Sequence, residues 1–163
     1  MLYLILNEGK EKQGPKLWDR YRQVLSILKK WLQIDLLMLL ITSRSHHDIP
    51  AKNPERVYHA FVLGLLVALK DTHEVKSNRE SGYGRYDVSL IPYDKKALGI
   101  VLEFKKVDEK KETLETCAEK ALVQIEEKKY VAELEGRGIT QIICLGLAFL
   151  GKRVLIKEHR VAL

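Results

Sequence analysis

Apolar residues recur along this chain with two different periods, and the change of period divides it. Residues 7–16, NEGKEKQGPK, are polar with two Gly and a Pro, and read as a linker after a short apolar start, LYLIL. From Leu17, the residues Tyr21, Val24, Leu25, Leu28, Trp31 and Leu32 follow at spacings of mostly three and four, which predicts an amphipathic helix over 17–32. A shorter helix is expected from about 33 to 43, before the proline-bearing break SRSHHDIPAKNP. Asn53-Pro54-Glu55 is a helix-start signal: an N-cap side chain, a proline where its missing N–H costs nothing, and an acid in the first turn. That third helix should run to about Lys70 and be central, because it is apolar nearly all round from Ala60 to Leu69.

Beyond Lys70 the pattern turns to strands. HEVKSN (73–78) is a strand candidate, ESGYG (80–84) a turn, and GRYDVSLIP (84–92) alternates with period two. YDKK (93–96) reads as the next turn, and ALGIVLEFKK (97–106) as a buried strand with a charged end. A helix is expected from Leu114 to Leu134, its stripe built from Leu114, Cys117, Ala118, Ala121, Leu122, Ile125, Val131 and Ala132. Strands at 139–150 and 153–159 close the chain. Three helical segments followed by β-β-β-α-β-β predict an α/β domain with a mixed sheet, the late helix serving as a parallel crossover. The organisation predicted is an extension over 1–16 and one domain over 17–163, with a helical part at 17–70 and an α/β core at 71–160.

Composition narrows this only a little. With 163 residues and 46% hydrophobic content the chain can bury one sizeable core and is not a disordered sequence. Its 28 Lys+Arg against 22 Asp+Glu give a formal charge of +6, compatible with a polyanionic partner but also with a merely charged surface. Cys117 and Cys144 lack companions at metal-ligand spacing, so a reduced, cytoplasmic setting is expected. The apolar start does not read as a signal peptide, and the longest apolar stretch, 34–42, is too short to span a membrane. The apolar helix faces at 17–43 are a natural docking or homodimer surface, with core packing as the plainer role.

Three groups of residues can be read as chemistry. Gly146-LAFL-Gly151-Lys152 matches phosphate-loop spacing, but Arg153 stands where a Mg²⁺-holding hydroxyl belongs and a strand follows where a helix should. His46, His47 and Asp48, with His59, lack any fixed geometry and read as a polar loop. The third group is Asp87, Glu103 and Lys105. If 84–92 and 97–106 form the hairpin that YDKK implies, Asp87 meets Glu103 across it and Lys105 lies two residues further on the same face. Two carboxylates and the intervening Phe104 carbonyl make a hard oxygen site suited to Mg²⁺, and a lysine beside it can stabilise developing charge. The pattern (Asp/Glu)-x-Lys occurs eight times in the chain, so spacing alone is worthless; Glu103-Phe104-Lys105 stands apart because it ends a buried apolar run. The plain alternative is an ion pair at a strand end with Asp87 or Arg85.

Asn53-Pro54-Glu55, Tyr58-His59-Ala60-Phe61, the run from Ser77 to Asp87, Glu103-Phe104-Lys105, Ala121-Leu122-Val123-Gln124-Ile125 with Lys129-Tyr130, and the closing GLAFLGKRV together resemble the PD-(D/E)XK nuclease superfamily. The nearest branch in this resemblance is the domain found C-terminal to an AAA-like ATPase, and the likeness runs from about residue 17 to 160. It implies a restriction-endonuclease-like core, a mixed central sheet flanked by helices with an N-terminal helical segment. It implies a Mg²⁺- or Mn²⁺-dependent nuclease acting on DNA, with RNA as the alternative substrate and an AAA-like ATPase as partner or neighbouring domain. Asp87, Glu103 and the Phe104 carbonyl would hold the metal, Lys105 would position or activate the water, and Glu55 and Gln124 would support them. Arg79 and Arg85 are expected to contact phosphate, or else to pair with Glu74 and Glu80. Two departures stand out: Tyr86 replaces the proline before Asp87, and Lys128 stands where a helix tyrosine would follow Gln124, so Tyr130 is given no role. A nuclease fold that binds nucleic acid or docks an ATPase without cleaving is the alternative.

Overall fold

The computed structural model describes residues 62–64, 66–150 and 153–162. The helices expected at 17–32 and 33–43, most of the helix from Asn53, Glu55 and the histidine group lie outside the described residues. The end of the third helix is described: Val62–Gly64 and Leu66 are helical, and a 3-10 turn at Val67–Leu69 closes it.

The sheet strands are β1 (His73–Ser77), β4 (Val88–Pro92), β5 (Gly99–Lys106), β6 (Gln141–Leu150) and β7 (Arg153–Ala162). Two short strands, β2 (Glu80–Ser81) and β3 (Gly84–Arg85), form a separate hairpin. Helix α1 (Leu114–Glu127) and the short α2 (Ala132–Gly136) join β5 to β6. The five-stranded sheet runs β1-β4-β5-β6-β7, antiparallel except for β5 beside β6, the pair that α1 connects. This is the expected mixed sheet with helices against it. Among the described residues no helix is long and apolar enough to cross a membrane.

Alternation along the strands sends different residues to the two faces. One face gathers Val88, Leu90, Ile100, Leu102, Phe104, Ile143, Leu145, Leu147 and Phe149 against Val62 and Leu66 in an apolar core. The other packs Ile91, Val101, Ile142 and Cys144 under Ile125, Tyr130 and Leu134. Here α1 sits very close: a Cβ built on Gly146 would lie 2.3 Å from the Ala118 carbonyl oxygen. The small residues Ala118 and Ala121 and a glycine in mid-strand are what allow that approach. Gly146 therefore belongs to the middle of β6, and the phosphate-loop spacing it shares with Gly151 is coincidental.

Three expectations need correction. GRYDVSLIP is not one strand: β3 ends at Arg85, the chain bends through Tyr86 and Asp87, and β4 starts at Val88. ESGYG is not merely a turn, since Glu80 and Ser81 pair with Arg85 and Gly84. The helix from Leu114 stops at Glu127 rather than Leu134, although the apolar spacing continues through Val131 and Ala132.

The helix ends are set locally. At the start of α1, Thr113 and Thr116 form a reciprocal capping box. At its end Lys129 takes a left-handed conformation (φ 52°), the Tyr130 N–H reaches back to the Ile125 carbonyl at 3.1 Å, and the Lys129 N–H reaches Glu126 at 3.0 Å. This is a Schellman closure with lysine where glycine is usual, sealed by apolar packing of Tyr130 with Ile125.

Candidate active site

Register brings the site together. Val88 faces Leu102 in the antiparallel pair, so one step further along each strand sets Asp87 beside Glu103, as the hairpin reading expects. Asp87 is past the end of the ladder, held by its neighbours: the Asn78 N–H donates to its carbonyl at 2.9 Å, and the Phe104 N–H donates to its Oδ2 at 2.8 Å. The N–H and C=O of one residue in a strand face the same edge, so the Phe104 carbonyl is turned toward the Asp87 side as well.

Glu103 and Lys105 lie on the face that α1 covers. Glu103 is only 5% exposed. A carboxylate so buried needs hydrogen bonds to offset its lost hydration. Gln124, one turn after Ala121 on α1, supplies one: its Nε2 donates to Glu103 Oε1, while its Oε1 accepts from Lys105 Nζ at 2.6 Å. An amide placed between a carboxylate and an ammonium serves both with its two ends, which fixes its orientation and adds no charge.

Tyr130 completes the group, and sequence reasoning missed it. Its hydroxyl oxygen accepts from Gln124 Nε2 at 3.2 Å. Six residues separate Gln124 from Tyr130, too many for one helical turn, but the left-handed step at Lys129 folds the chain back so that the ring returns to the same face. Burial pushes the Tyr130 hydroxyl above the ordinary tyrosine pKa; the Gln124 bond partly opposes this, and the Glu103 and Asp87 carboxylates add to it. A sequence signal did exist: Tyr130 stands five residues after Ile125, the spacing of the apolar contact that closes a Schellman motif.

Behind the site, Tyr86 is fully buried, packs edge-on against Tyr130 at 6.3 Å, and donates to Glu133 Oε2 at 3.0 Å. Glu133 Oε1 also accepts from Lys76 at 2.6 Å and from Arg137 at 2.9 Å. Burial pushes the Glu133 carboxyl up, but the bonds from Lys76 and Tyr86 outweigh it and hold it below the usual glutamate range. Burial and the Glu133 carboxylate together raise the Tyr86 hydroxyl well above its ordinary value. Glu74 is engaged by Arg137 at 2.8 Å, and Arg85 stands 3.9 Å from Glu80. Arg79 and Arg85 are exposed on the segment leading to Asp87.

Asp87, Glu103, Lys105 and Gln124 thus meet at one place, with Arg85 on β3 and Arg79 just before β2 on the segment leading into it, while Glu55 lies outside the described residues. An α/β fold with an acid at a bend, a Glu-x-Lys strand beside it and a glutamine helix over both defines a class. A family model for the PD-(D/E)XK nuclease superfamily matches residues 53–159. The chain belongs to that superfamily. Comparisons with curated proteins and with solved structures returned no match.

Proposed function

We propose that the chain is a Mg²⁺- or Mn²⁺-dependent nuclease that hydrolyses phosphodiester bonds in DNA. The observation that carries this reading is the buried Glu103, tied through Gln124 to Lys105 and set beside Asp87. The donor set fits a small hard cation, which binds through one or two carboxylates and keeps room for water and substrate phosphate. Asp87, Glu103 and the Phe104 carbonyl would hold it. When bound, such a cation lowers the pKa of water and polarises the phosphate.

The chain's own residues do the rest. Gln124 keeps the Lys105 ammonium beside the carboxylates, where it can stabilise charge developing on the phosphoryl oxygens. The resemblance gives Glu55 a supporting role toward the metal or its water. Arg79 and Arg85 neutralise neighbouring phosphates. The resemblance to domains that follow an AAA-like ATPase adds such an ATPase as the partner, in the cytoplasm.

The test is cleavage of plasmid, linear duplex and single-stranded DNA with and without Mn²⁺. Cation-dependent products that vanish with Asp87→Ala and Lys105→Ala are the expected result. Cutting that survives both substitutions in clean protein overturns the assignment. Salt-sensitive binding without cleavage under any divalent cation would assign the fold to a non-cleaving role, binding nucleic acid or docking the ATPase.

A further inference from the structure

The hairpin Glu80–Arg85 is too small to stabilise itself, yet it is firmly seated. The Tyr83 N–H donates to the Lys128 carbonyl at 2.7 Å, and the Ser81 hydroxyl donates to the Tyr130 carbonyl at 3.0 Å while accepting from the Glu133 N–H at 3.1 Å. Gly82 (φ +61°) makes the seat possible, since a Cβ there would lie 2.1 Å from the Lys128 carbonyl oxygen. All this fixes the backbone around one side chain that touches little: Tyr83 is 71% exposed at the tip. The Lys129 ammonium lies 5.4 Å from its ring centroid, and Lys128, Arg79 and Arg85 are exposed on the same segments.

The tip is also next to the chemistry. A Cβ on Gly84 would stand 3.2 Å from the Tyr130 hydroxyl, which itself meets Gln124, and Asp87 follows Arg85 by two residues. We propose that this hairpin is a clamp for single-stranded DNA, in which the Tyr83 ring stacks on an unpaired base and the surrounding cations hold its phosphates near Glu103. The proposal rests on the nuclease reading for the meaning of that position. A ring on a fixed backbone stacks at little entropic cost, and stacking tolerates every base because each has a π-face. Bases inside a duplex already stack on their neighbours, so an open base is what the ring fits. The cations add the phosphate attraction that a strand carries wherever it is bound.

The experiment measures binding of the whole chain, in EDTA, to a fluorescent single-stranded oligonucleotide and to a blunt duplex. Tyr83→Ala should weaken single-strand binding about 5- to 100-fold, leave duplex binding unchanged and keep the melting temperature. Tyr83→Phe should bind as the unaltered chain does. An oligonucleotide carrying 2-aminopurine should be quenched by the unaltered chain and by Tyr83→Phe, and not by Tyr83→Ala. Undiminished single-strand binding by Tyr83→Ala, equal losses on both substrates, or failure of Tyr83→Phe overturns the clamp. Tyr83-dependent binding by a chain that cuts nothing keeps the clamp and removes the nuclease. Cutting of single strands with Tyr83→Ala unaffected in binding does the reverse.

Discussion

On one face of β5, Ile100, Leu102 and Phe104 enter a cluster of apolar side chains; on the other, Val101 is followed by Glu103 and Lys105 under α1. Both faces are buried by the same strand, but they are held differently. The first depends on volume and exclusion of water, so any residue there matters through fit. The second includes a carboxylate whose burial costs free energy and is kept tolerable by hydrogen bonds from a neighbouring element. A site that destabilises its own fold locally is expected where function, rather than packing, selects the residues.

Substitutions separate the two faces. Glu103→Ala should lower the cleavage rate by about 10²- to 10³-fold or more while leaving the melting temperature near that of the unaltered chain. Leu102→Ala should instead cost about 2–5 kcal/mol of stability, read by urea unfolding, with activity per folded molecule retained. Gln124→Ala, which unties Lys105 from Glu103, should reduce activity or cation affinity about 10- to 100-fold, checked by titrating Mn²⁺ in the cleavage assay. Tyr130→Phe removes only the hydroxyl that Gln124 bonds, and a loss of about 2- to 10-fold in rate is expected. The smallest effect concerns pH. Glu133 is held below its unfolded pKa, so its contribution is present above about 4.3 and is lost as pH falls through the lower folded value. Melting curves across acid pH should therefore be flatter for Glu133→Gln than for the unaltered chain.

Much of the candidate site was legible because it lies on regular structure. The apolar run ahead of Glu103 marked a buried strand, the turn after Pro92 set the hairpin, and register then brought Asp87 opposite Glu103. Gln124 was readable as a helix-face residue near Ala121. What escaped the reading depends on single backbone torsions. Period-two alternation runs straight through Tyr86 and Asp87, so nothing in the spacing announces the bend that frees Asp87 from the ladder. Val131 and Ala132 continue the helical spacing past a helix that has already ended, and no glycine signals the stop. Tyr130 was missed for that reason: its place follows from the turn, not from the count of residues.

Lys129 ties two requirements to one position. A side chain in the left-handed region costs roughly 1 kcal/mol relative to glycine, so Lys129→Gly would relax the end of α1. The same lysine carries the ammonium beside the Tyr83 ring. A more stable chain with glycine there would have lost the cation beside the Tyr83 ring, so on the proposed clamp robustness and grip on a strand would pull that codon in opposite directions.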